Sequence, residues 1–124
     1  MKYLILIHGN PQSRQIWESF TDEQRGEGYA YYAALHDDLV STGELIVTEA
    51  LADPSMGKRL PAQAGSVVTT SDGPFAEVKE HLAGFFLVQC ESMERALEIA
   101  ARVPEADLGL VEVRPVLNLT ETEF

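Results

Sequence analysis

The sequence is poor in cysteine, histidine and positive charge. A single cysteine, Cys90, in 124 residues excludes an intrachain disulfide and any zinc site built on several cysteines. The three histidines, His8, His36 and His81, have neither the i, i+4 nor the HxH spacing of metal ligands, so no metal is expected. Lys and Arg number 9 against 20 Asp and Glu, a formal net charge of -11. That sum repels phosphate backbones and anionic membranes, and the basic residues are scattered. Neither nucleic acid nor a membrane is expected as a partner. Long apolar runs are missing too. None reaches membrane-spanning length, and the apolar start is too short for a signal-peptide core, so a cytoplasmic protein is expected. No GxGxxG, P-loop or GxSxG occurs, so no cofactor is expected.

What remains is ordinary globular material. Apolar residues make up 45% and charged residues 23%, which argues against disorder. The length suits one domain spanning 1–124 with a small core. The acidic surface serves solubility, or else a basic protein partner.

Tyr3 to His8 reads as a buried strand, stopped by Gly9-Asn10-Pro11. Gln12 to Phe20 carries no decisive pattern. Thr21 followed by Asp22 and Glu23 predicts a helix over 22–42, stopped by Gly43. Its spacing puts Tyr29, Tyr32, Leu35, His36, Leu39 and Val40 on one face. Glu44 to Leu51 predicts a second strand. Ala52 to Gly65 is irregular, Ser66 to Thr70 a short strand, and Ser71-Asp72-Gly73-Pro74 a turn. Gly84 to Cys90 predicts a central strand. Ser92 caps a helix over 93–103, with Met93, Ala96, Leu97, Ala100 and Val103 as its stripe and Pro104 as its end. Gly109 to Val116 is the last strand, and 118–124 a tail or partner arm.

The order is β-α-β, a hairpin insertion, then β-α-β. It implies an α+β ferredoxin-like sandwich, an antiparallel sheet with two helices on one face. The other face is then bare and apolar, and a second copy is the usual cover.

The run Asp72-Gly73-Pro74-Phe75-Ala76-Glu77-Val78-Lys79-Glu80 closely resembles the signature of the DGPF family within the YCII-related superfamily. The likeness continues through Gly84-Phe85-Phe86, Ala96-Leu97-Glu98, Ala100-Ala101 and Pro104 to Glu112-Val113-Arg114-Pro115-Val116. It also includes Met1-Lys2-Tyr3-Leu4 and Gly43. The resemblance implies a homodimeric α+β barrel, made by two ferredoxin-like sheets packed together. It implies no agreed activity. Members of the wider superfamily carry a His–Asp pair in a cleft, and some DGPF-family proteins are encoded beside extracytoplasmic-function sigma factors.

Several residues are candidates for chemistry, each with a structural alternative. His36 falls inside the apolar stripe, beside Tyr32. It is either a core histidine bonded to a carbonyl or Tyr hydroxyl, or a general base near neutral pH. Asp72 either caps its own turn or orients a histidine. Strand alternation puts Glu112 and Arg114 on one face with Leu110, directed into the dimer barrel. There Arg114 either binds a carboxylate ligand or forms an ion pair. His8 ends the first strand and can stand at a cleft mouth. Glu77, Lys79 and Glu80 make either a polar rim or a solvated ladder, and His81 is expected to be exposed. Trp17 and Phe20 are expected to pack as lids.

Two functions follow. One is a small-molecule site with cofactor-free acid–base chemistry: His36 as base, Asp72 as orienter, Arg114 as anion anchor, with Glu112, His8 and Tyr32 as further substrate contacts. The other is a non-catalytic regulatory or ligand-sensing module that meets a basic partner such as a sigma factor.

Overall fold

Alternation of apolar side chains builds the sheet. The computed structural model describes residues 1–61, 71–72 and 79–120, the side chains of Ser71 and Asp72 excepted. Strand β1 (Lys2–Gly9) buries Tyr3, Ile5 and Ile7 and turns Leu4, Leu6 and His8 to the other face. Helices α1 (Pro11–Ser19) and α2 (Asp22–Thr42) lead to β2 (Leu45–Ala50). A 3₁₀ turn (Pro54–Met56) and a small pair, β3 (Lys58–Arg59) with β4 (Ser71–Asp72), come next. Strand β5 (His81–Gln89), helix α3 (Met93–Ala100), a 3₁₀ turn (Pro104–Leu108) and β6 (Val111–Pro115) complete the order.

The main sheet is antiparallel, in the order β2-β5-β1-β6. Strand β5 separates β2 from β1, which is the split β-α-β arrangement of a ferredoxin-like α+β fold. One face is covered. Leu35 and Leu39 of α2 and Ala96, Ile99 and Ala100 of α3 pack on Ile5, Phe86 and Val88. Burial of each large side chain contributes roughly 1.5–3 kcal/mol. Cys90 is buried in this layer as a free thiol.

Local chemistry sets the helix ends. Thr21 and Gln24 cap α2 reciprocally, and Gly43 closes it with a left-handed φ of 78°, a conformation that disfavours residues with a Cβ. Arg95 of α3 binds the Glu44 carboxylate through two N–H groups at 2.9 and 2.8 Å. Those bonds hold the Glu44 carboxyl below the usual carboxylate range.

Several sequence expectations are corrected here. Residues 12–20, patternless in sequence, contain most of α1. Asn10 and Ser13 form a capping box around Pro11 at the first turn, so the residues that stop a strand also start a helix. Helix α1 buries none of its residues, which explains its lack of an apolar stripe. The six-residue face of α2 is only partly covered. Leu35 and Leu39 are buried, while Tyr29 and Val40 are 65% and 56% exposed. His36 is exposed as well, so it is not a core histidine. Helix α3 is shorter than expected. Ile99 is buried and Leu97 is exposed, because the stripe follows Ala96, Ile99, Ala100 and Val103. Ser71 and Asp72, read as a turn, pair with Arg59 and Lys58 in a ladder. Leu110 is buried and precedes β6, unlike the exposed Glu112 and Arg114. Residues 66–70, Gly73, Pro74, Phe75, Glu77 and the last four residues lie outside the described residues.

Among the described residues, no helix layer covers the other face of the sheet. Leu4 pairs with Leu87 and Leu6 with Phe85, all half-buried, with Val47 beside Leu87. In register with Leu6 and Leu4, Glu112 and Arg114 share this face.

Candidate functional site

One end of the covered layer is hollow. Helix α1 has no buried residue, and α2 buries only Leu35 and Leu39. Between these helices, the ends of β1, β2 and β5, and the Pro104–Leu108 turn lie three adjoining cavities of about 500, 560 and 460 Å³. All three are lined by Ala83 and Glu105, so we describe them as one cleft.

Tyr32 and Glu105 stand at its middle. The Tyr32 hydroxyl donates to the Glu105 carboxylate across 73 residues of chain, and the Tyr32 ring stacks on Phe86 with centroids 6.4 Å apart. Burial, and then Glu105, push the Tyr32 hydroxyl well above the usual phenol range, so it stays protonated at neutral pH.

His36 lines one end, with Tyr32, Glu49 and Glu105 in the same cavity wall. Its side chain is 47% exposed, and Nδ1 lies 3.4 Å from Asp37 Oδ1. An accessible imidazole beside a cavity can accept a proton from a bound molecule.

His81 lines the other end, with His8, Asn10, Ser13 and Arg14. It is half-buried, contrary to the expected exposure. The ring lies over Gly9 so closely that a Cβ there would come within 2.7 Å of Nε2. Burial, then the charges of Arg14 and His8, hold the His81 pKa below the usual imidazole value. Both effects favour the neutral imidazole. Arg14 pairs with Asp53, whose second oxygen caps the 3₁₀ turn by accepting from Ser55 N at 2.9 Å.

Aromatic rings complete the wall. Trp17 meets Tyr29 edge-on at 5.4 Å and Phe20 at 5.9 Å. Arg25 steadies Trp17 from outside, donating to its backbone carbonyl at 3.2 and 3.1 Å.

Of the candidates from sequence, His36, Tyr32 and His8 line the cleft. Glu112 and Arg114 do not. They lie on the uncovered sheet face, with Arg114 Nε 3.8 Å from Glu112 Oε2 and His8 Nε2 3.5 Å from Glu112 Oε1. The backbone of Asp72 pairs with Lys58, and its side chain lies outside the described residues. Lys79 and Glu80 are exposed. Among the described residues, no group of three His, Cys, Asp or Glu is arranged to hold a metal ion. No helix among them is long and apolar enough to cross a membrane.

Sequence reasoning missed Arg14, His81 and Glu105 as wall residues. The capping box Asn10-Pro11-Gln12-Ser13 was a usable signal for Arg14, because it fixes α1 beside the end of β1. Glu105 had no local signal, since its partner is Tyr32.

Comparison with known proteins fits this architecture. The model of the YCII-related domain matches residues 1–120. The chain belongs to the YCII-related family. A relative, the uncharacterized protein R00369 of Rhizobium meliloti (strain 1021), is 31% identical over 118 residues, covering 94% of this chain and 92% of that one. The fold of this YCII-related chain is similar to that of 5-chloro-2-hydroxyhydroquinone dehydrochlorinase from Burkholderia phenoliruptrix AC1100, solved in complex with 2,5-dihydroxybenzoquinone. The TM-score is 0.52 and the identity 19%, covering 99% of this chain and all of that one.

Proposed function

We propose that this YCII-related protein performs acid–base chemistry on a small organic molecule held in the cleft, with His36 as general base. The observation that carries the reading is the convergence of the chain's three histidines on adjoining cavities that share Glu105. A cavity of about 460 Å³ beside His36 has the volume of a ligand pocket. His36 takes a proton from an acidic C–H or O–H group and returns it. The Tyr32 hydroxyl, kept protonated and oriented by Glu105, lends a fixed dipole to the wall.

The dehydrochlorinase named above acts on a chlorinated hydroxyhydroquinone, which makes hydroxylated aromatic rings the first class to test. Hydroxylated aromatics and their chlorinated forms, incubated in heavy water, are expected to show ring-proton exchange or chloride release by the wild-type protein. His36→Gln should slow that turnover by about 100-fold or more, the usual contribution of a positioned general base. Equal rates in the variant, or no turnover of any member of the panel, would reject the reading.

We also propose that the uncovered face is closed by a second copy of the chain. Leu4, Leu6, Phe85 and Leu87 are half-buried there with no partner layer among the described residues. Light scattering is expected to give a dimer at micromolar concentration, and Leu6→Glu a monomer. A wild-type monomer at that concentration rejects the dimer.

A further inference from the structure

We propose that the Arg14–His81 end of the cleft is an anion subsite, which takes the carboxylate of a small aromatic acid while Trp17, Phe20 and Tyr29 hold its ring. The proposal rests on reading the cleft as a small-molecule site and names the class of molecule.

Three observations carry it. First, Arg14 is the one Arg or Lys among the described residues in the walls of the three adjoining cavities. Other arginines are engaged elsewhere: Arg25 with the carbonyls of Trp17 and Glu18, Arg95 with Glu44, Arg102 with Asp38. Arg14 meets Asp53 through Nη2, and a guanidinium carries five donors in a fork suited to carboxylates. Second, His81 stands in the same two cavities as Arg14, and after burial the Arg14 charge is the next cause that lowers its pKa. Third, the aromatic cluster borders Arg14. Trp17 and Phe20 line both cavities that Arg14 lines, and Tyr29 lines one of them.

The groups around His81 are Arg14 of α1, His8 of β1, Asp53 of the loop after β2, and Glu105 and Asp107 of the 3₁₀ turn. Without an anion, burial and then the Arg14 charge lower the His81 pKa. A carboxylate seated between Arg14 and His81 reverses that balance and draws a proton onto the ring.

The test uses benzoate, with benzamide as the uncharged analogue of the same shape. Trp17 is the only tryptophan, so its fluorescence reports occupancy directly. Benzoate is expected to bind saturably at millimolar concentration and about tenfold tighter than benzamide, a difference of about 1.4 kcal/mol. Calorimetry in buffers of different ionisation heat, between pH 6 and 7, should show fractional proton uptake with benzoate. Arg14→Gln should erase the preference for benzoate, and His81→Gln should erase the proton uptake, while benzamide binding stays the same. No saturable benzoate binding, equal binding of the two analogues, or proton uptake that survives His81→Gln would each overturn the proposal. His36→Gln is expected to leave benzoate binding unchanged. A protein that binds benzoate in this way but turns over none of the aromatic panel loses the acid–base reading and keeps the subsite.

Discussion

Leu35→Ala is expected to lower the unfolding free energy by about 2–5 kcal/mol, the range for truncating a buried leucine. Leu35 is fully buried in the core cluster, one helical turn from Leu39. These are the two residues that α2 buries. Much of the helix's attachment through apolar contact therefore rests on two side chains. A cavity under one of them removes a large share of it, because the surrounding core closes only partly. Thermal denaturation is the measurement, and a fall of roughly 10 °C in Tm is expected. A fall of only a degree or two would mean that α2 is held by something other than this contact. Tyr32 and His36 flank Leu35 in sequence, so the variant should also loosen the cleft wall they form. Amide hydrogen exchange in α2 should rise more than exchange in α3.

Gly84→Ala is the second large effect, and it comes from too little space. Gly84 lies in β5, opposite Ala50 of β2 and Ile7 of β1. A Cβ at this position would stand 2.9 Å from the Glu49 carbonyl oxygen and 3.5 Å from Ala50 Cα. Both are backbone atoms of a paired strand, so neither can rotate away. Strand β2 must shift, at a cost of about 1–3 kcal/mol. Gly26→Ala is the control. A Cβ there meets nothing within 4 Å, and its place in a helix predicts a gain of about 0.5–1 kcal/mol. Chemical denaturation of the two variants should therefore move in opposite directions. A neutral Gly84→Ala would show that β2 is not tightly held against β5. The same shift would displace Glu49 and Ala50, which line the cavity beside His36.

The cleft explains why some of this chemistry was legible in sequence and some was not. Asp22, Thr42 and Gly43 bounded α2 because caps are local: a hydroxyl, an acidic first turn and a glycine act within a few residues. Position on a helix face is different. His36 falls in the same stripe as Leu35 and Leu39 by angle, yet it is exposed. The stripe is wider than the surface available to cover it. His81 errs in the other direction. Charged residues precede it in sequence, but it lines a cavity together with residues of α1 and of the Pro104–Leu108 turn. Arg114 shares its face with Glu112 as strand alternation requires. What alternation does not reveal is that neither Glu112 nor Arg114 lines the three cavities of the cleft.

The sequence by itself determined the four strands of the main sheet, the helices α2 and α3, the α+β class and the family. The elements follow from local periodicity and capping, which need no knowledge of neighbours, and the family from the resemblance carried by the Asp72–Glu80 run. Tertiary structure alone decided which polar side chains meet. Tyr32 finds Glu105, Arg14 finds Asp53, and His81 comes under the influence of Arg14 and His8. Those pairs are separated by tens of residues in the chain and joined only by packing. Burial and electrostatic coupling, the two quantities that tune a histidine, are properties of that packing.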